Sequence, residues 1–157
     1  MANLSVAIAF GVRLLLVLLF LPFSALDKLL NFRGAVGQAR EAVHATLPAV
    51  ALILIGLGVE IGMSLCVLTG TADRAAAFVL AGYCGVTALL WKQFWAPGDF
   101  WAGGQGRALF WDFLKNFALA GGFLLITFGT GAGTVQDVFA DPLGSSHPYT
   151  VQDRGRP

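Results

Sequence analysis

The sequence predicts an all-α fold: a polytopic membrane four-helix bundle, with four transmembrane helices and an extended polar C-terminal tail. Two observations lead there. Of the 157 residues, 57% are hydrophobic and only 12% charged, with a mean hydropathy of +0.74, far too apolar for an ordinary soluble domain. The apolar residues also gather in four runs of roughly the length that crosses the ~30 Å hydrocarbon core of a bilayer at about 1.5 Å per residue. Residues 1–130 then form the transmembrane domain and residues 131–157 an extramembrane tail.

The first run spans about Leu4 to Leu30. No basic residue precedes it, Arg13 interrupts its apolar centre and no A-x-A site follows, so it reads as a retained membrane helix rather than a signal peptide. Pro22 lacks a backbone donor and should bend the helix, freeing a carbonyl near Leu18. At 100° per residue Arg13, Phe20, Ser24, Asp27 and Lys28 share one face, which should point into the bundle. Asn31 to Thr46, with Arg33, Gln38, Arg40, Glu41 and His44 among small apolar residues, reads as an interfacial helix or a loop.

The second run, Pro48 to Gly70, leads through a tight turn at Thr71 to Arg74 into the third, which extends to about Trp95. So short a connection makes the two antiparallel neighbours. Ala96 to Asp99 and Gly103 to Gly106 mark a loop, and the fourth run follows from about Ala108 to Gly129. All four tryptophans, Trp91, Trp95, Trp101 and Trp111, surround this loop and point to an aromatic belt at one membrane face. The tail from Thr130 has no apolar period and a composition that cannot bury itself, so its ordering calls for a partner.

Glu60 stands alone in the second run, and an unpaired acid at that depth costs about 2.5–3.5 kcal/mol. Counting residues from the chain ends and turns places Arg13 and Glu60 both about 14 Å below the face carrying the N-terminus, with Tyr83 level with them. A buried polar layer of Arg13, Glu60 and Tyr83 follows. Two readings stay open: an ion pair that locks helix register, or a site for a proton or a polar headgroup such as a quinone carbonyl. A second polar cluster gathers near the opposite face, with Lys28, Asp112, Lys115 and Asn116 joined by Asp27 and Lys92, and reads as mostly interfacial. Gly58/Gly62, Ala81/Gly85 and Ala118/Gly122 place small residues four apart, where helices can approach closely.

Other classes are set aside by what is missing. A net charge of +1 without a basic cluster gives no nucleic-acid partner. His44 and His147 lie outside the apolar runs, which leaves no axial ligand pair for a haem within the bundle. Cys66 and Cys84 differ in depth by about 10 Å, beyond the ~7 Å reach of a disulfide, and should be free thiols. No metal cluster, nucleophile elbow, phosphate loop or dinucleotide motif is present, so neither an intrinsic cofactor nor an enzymatic activity is assigned.

Three stretches resemble one family. FLPFSALDKLLNF at Phe20 to Phe32 resembles the first-helix F-x-x-x-G-x-x-K-L pattern of DoxX-like proteins, with Ser24 in the glycine position and Lys28 as the base. Val59-Glu60-Ile61-Gly62, Gly70 and Arg74 to Ala77 resemble the second-helix acid, glycine and turn arginine, and Phe113 to Leu125 is similar to the fourth-helix F-x-K-N-x-x-x-x-G-G-x-L-L run. The resemblance implies a four-helix membrane bundle, distantly similar in layout to vitamin K epoxide reductase, in a bacterial inner membrane. It also implies association with quinol oxidase or thiosulfate:quinone oxidoreductase assemblies or with membrane redox homeostasis. The chain lacks the C-x-x-C of the reductase relatives and carries Trp91-Lys92 where a His is frequent, so no thiol or His-based mechanism carries over. The expected role is a non-catalytic accessory or anchoring subunit of a quinone-linked respiratory membrane complex, contacting membrane lipids and other subunits through the tail and the Trp-rich loop. The alternative is a quinone-binding redox protein acting at Arg13, Glu60 and Tyr83, with quinone or a lipid as the bound molecule.

Overall fold

The computed structural model describes residues 2–129 and 132–150. It is all-helical, with no strand among the described residues. The helices are α1 (Ala2–Val17), α2 (Ala25–Leu30), α3 (Phe32–Val43), α4 (Thr46–Thr69), α5 (Asp73–Trp91), α6 (Gln105–Phe128) and α7 (Ala132–Ala140). Three of them, α4, α5 and α6, are long and apolar enough to cross a membrane. A fourth crossing results if α1 and the Leu19–Leu30 segment, bent by 41° relative to it, are one span.

The bend lies where Pro22 predicts it. Leu19–Ser24 forms a π-helical turn that contains the proline, and α2 resumes at Ala25. A widened turn is a low-cost way to absorb a missing N–H. It also shifts the azimuth of everything after it, and Asp27 ends up exposed although the straight-helix count puts it on the inner face with Lys28.

The stretch after Asn31 is a helix rather than a loop. α3 is amphipathic: Ala39 is buried and Phe32, Ala35, Val36 and Val43 pack with Ala49, Leu52 and Ile53 of α4, while Arg33, Arg40 and Glu41 are exposed. It ends at His44 in the left-handed region (φ 56°), whose N–H bonds the Arg40 carbonyl at 2.8 Å.

α4 and α5 are packed neighbours, as their short connection requires, and α5 makes its most extensive contact with α6. The main core joins Val17 and Phe20 to Val67, Ala76, Ala77, Leu80, Cys84 and Phe123, with the Phe20 ring 5.8 Å from Phe123 and 6.0 Å from Tyr83. Both cysteines are free. Of the small-residue pairs, Gly58, Gly62 and Gly85 have no side chain within 4 Å of where a Cβ would sit, so those pairs do not mark helix contacts. A Cβ on Gly122 would come within 2.9 Å of Leu16 Cδ2, a real close approach of α6 to α1.

Between α5 and α6, Phe94, Trp95, Phe100, Phe110 and Phe113 interlock edge to face, while Trp101 projects, 94% exposed. Asp99 in this loop caps α6: Oδ2 accepts from the Gln105 N–H at 2.9 Å and Oδ1 from the Gly106 N–H at 2.7 Å. The tail is not simply extended. α7 leaves the end of α6, and residues 144–150 then lie back as a strap across the α4–α5 turn, bonding the Gly70 and Leu68 carbonyls and the Asp73 side chain of this same chain.

Candidate functional site

Three side chains converge on Glu60, which is 1% exposed near the middle of α4. Its Oε1 accepts from Lys28 Nζ at 2.6 Å, Tyr83 OH at 2.8 Å and Ser24 Oγ at 2.9 Å. Lys28 Nζ also donates to Ser24 Oγ at 2.6 Å. Each element contributes for a local reason. Ser24 closes the π-helical turn, Lys28 follows it at i+4 on the same face of α2, and Tyr83 comes from mid-α5, packed edge-on to Phe20. The charge of Glu60 is balanced by one ammonium, and the hydroxyls solvate the carboxylate in place of water. Glu60 Oε2 is buried with no hydrogen-bond partner among the described residues.

The predicted layer is therefore corrected at one member. Glu60 and Tyr83 meet, but Arg13 does not reach them. Its Nη2 pairs with Asp73 Oδ2 at 2.7 Å and donates to Ser146 Oγ at 2.7 Å, and its Nη1 donates to the Val67 carbonyl at 2.6 Å. Counting residues places Cα atoms, whereas the long arginine stem carries its charge toward the near end of the bundle, where Asp73 is wholly buried. Ser146 completes this second centre, its N–H bonding Asp73 Oδ1 at 2.8 Å and its hydroxyl bonding Asp73 Oδ2 at 2.5 Å. Ser145 Oγ donates to the Gly70 carbonyl at 2.6 Å and Tyr149 OH to the Leu68 carbonyl. Arg13 and the strap thus satisfy carbonyls that the end of α4 leaves without helical donors.

Lys28 is the second correction. Predicted with the outer cluster, it belongs to Glu60, because the π-helical turn carries the residues after it round toward α4. The remaining outer residues do gather: Asp112 Oδ2 pairs with Lys92 Nζ at 3.1 Å, Asp112 Oδ1 with Lys115 Nζ at 3.2 Å, and Asn116 Nδ2 donates to the Asp112 carbonyl at 2.9 Å.

A cavity of about 780 Å³ joins the two groups. Ser24, Lys28, Glu60 and Tyr83 line it at one end and Lys92, Asp112, Lys115 and Asn116 at the other, with Phe20, Val59, Val86, Leu90 and Leu119 between and Gln38 of α3 on its wall. Its size is that of a site for a drug-sized or lipid-like molecule, mostly apolar with a few convergent polar groups. Arg13 does not line it. Sequence reasoning missed Ser24 as a ligand of the acid, Asp73 as a buried base partner and Ser146 altogether. The i, i+4 spacing of Ser24 and Lys28 and the acid in the first turn of α5 were the available signals, and nothing local announces Ser146.

Among the described residues no three His, Cys, Asp or Glu side chains come together as a metal site. A family model described as DoxX matches residues 8–93, just over half of the chain. No curated protein and no solved structure matches it.

Proposed function

The chain belongs to the DoxX family of membrane proteins, and on that premise we propose that its four-span bundle binds a quinone-class molecule in the cavity, with the carbonyl-bearing ring against Lys28, Glu60 and Tyr83. The observation that carries this is a 780 Å³ cavity whose inner end is a buried, charge-balanced carboxylate network. The donor set fits a quinone. Lys28 has three N–H donors, of which Ser24 and Glu60 take two, leaving one for a carbonyl oxygen. Glu60 Oε2, unmatched among the described residues, is an acceptor for a hydroxyl of the reduced form. A bound quinone supplies two-electron, two-proton redox chemistry. The chain's own residues orient the ring, exclude water with Phe20 and Val59, and hold a proton between Tyr83 O and Glu60 Oε1.

The test is quinone content after gentle purification, with a short-chain quinone titrated back into the delipidated protein. Wild type should retain and rebind it, and Glu60→Gln should weaken rebinding at least tenfold. Unchanged affinity in Glu60→Gln, or no binding by folded wild type, overturns the reading.

A second reading has its own support. Trp101, Phe139 and Leu143 are 94%, 79% and 71% exposed and lie outside the long apolar helices, in the loop and tail. They suit a non-catalytic accessory subunit of a quinone-linked respiratory complex in a bacterial inner membrane, docking neighbouring subunits with these side chains. Native mass spectrometry of gently solubilised membranes reports partners and bound quinone together and separates the two readings.

A further inference from the structure

We infer that the outer end of the cavity is a separate binding site for a phosphate-class anion, and that the occupant is the headgroup of an acidic phospholipid whose chains lie along the cavity wall. The charge balance at this end differs from that at Glu60. Two ammonium groups share one carboxylate: Lys92 takes Asp112 Oδ2 and Lys115 takes Oδ1, so the three side chains carry a net positive charge. Each ammonium has three N–H donors and spends one on Asp112, which leaves two apiece.

A third donor belongs to the same cavity lining. Trp91, the residue before Lys92, lines the same cavity, and its indole Nε1 is buried with no acceptor among the described residues. An unmatched buried N–H is costly, and a ligand acceptor relieves that cost. Unfilled donors with excess positive charge call for an acceptor-rich anion, whereas a cation would be repelled and a neutral headgroup would leave the charge unbalanced.

Placement favours a lipid over free phosphate. Lys92 lies nine residues beyond Tyr83, just past the end of α5, so this site is about 13 Å from the Glu60 network, toward the helix ends and the tryptophan-rich loop. The Lys115 side chain is 75% exposed, so the site is reached from outside, while Val86, Leu90 and Leu119 offer apolar wall for attached chains. The inference does not depend on what binds at Glu60.

The experiment titrates delipidated, detergent-solubilised protein with phosphatidylglycerol, with phosphatidylcholine of the same acyl chains, and with inorganic phosphate, read by native mass spectrometry. Phosphatidylglycerol should bind at least tenfold more tightly than phosphatidylcholine, and Lys92→Gln/Lys115→Gln should erase that preference. Trp91→Phe, which keeps the ring and removes the N–H, should weaken phosphatidylglycerol binding severalfold and guards against a folding defect in the double variant. Displacement by micromolar inorganic phosphate supports the anion site and makes free phosphate the occupant. Equal affinity for the two lipids, or a preference that survives the double variant in folded protein, overturns the inference. Quinone rebinding measured on lipid-free samples keeps the outcomes apart, since Glu60→Gln should weaken it while leaving the phosphatidylglycerol preference in place.

Discussion

Glu60 and Arg13 each belong to a buried ion pair, and the energetics follow from which partner is removed. Taking away one member leaves an uncompensated charge in a low-dielectric interior, at a cost of about 3–5 kcal/mol, whereas replacing both by apolar residues is often neutral. Lys28→Met should therefore destabilise the bundle by about 3–5 kcal/mol. Lys28→Met/Glu60→Met should recover most of that loss, as measured by thermal unfolding in detergent. A double variant as unstable as the single one would show that Lys28 contributes by packing rather than by charge. Glu60 was conspicuous in the sequence because a lone acid in an apolar run must find a partner, and Tyr83 could be placed level with it by counting along two helices joined by a short turn. The base could not be chosen that way. Arg13 and Lys28 lie on the same segment, and side-chain reach decides which of them meets Glu60 and which meets Asp73.

At the scale of elements, the strap is the least anticipated part. Residues 144–150 bind the end of α4 and the start of α5 through Ser145, Ser146 and Tyr149, and a Cβ on Gly70 (φ +77°) would meet Pro148 Cγ at 2.9 Å, so the turn and strap fit closely. Ser146→Ala removes two hydrogen bonds to charged partners, each worth about 1.5–3 kcal/mol. Amide hydrogen exchange over residues 144–150 should accelerate tenfold or more in that variant, with the middle of α5 unaffected. Uniform acceleration would mean that the strap opens only with the whole bundle. The bend at Pro22, by contrast, was legible because proline's missing donor is a local fact, although its form as a π-helical turn and the resulting exposure of Asp27 were not.

For the whole molecule, orientation follows from where exposed basic residues fall. Among the described residues, Arg33, Arg40, Lys115 and Arg107 are exposed at the end carrying α3 and the tryptophan-rich loop, against the half-buried Arg74 toward the other. Lys28, held by Glu60, does not count as a loop charge. By the positive-inside rule this distribution predicts that the α4–α5 turn faces away from the cytoplasm and the tryptophan-rich loop toward it. Alkaline phosphatase fused after Pro157 should be active and a cytoplasm-only fluorescent reporter dark, and the reverse pattern would overturn the charge count.

The sequence by itself determined the membrane class, the apolar runs, the breaks between them, the free thiols and the family, because hydropathy, turn chemistry and motif spacing act over a few residues at a time. Only the tertiary structure decided which acid meets which base, that one cavity joins two polar groups, and that Ser146 reaches back 133 residues to Arg13. Those contacts depend on the relative rotation of helices that are not sequence neighbours, and a single π-helical turn is enough to reset that rotation.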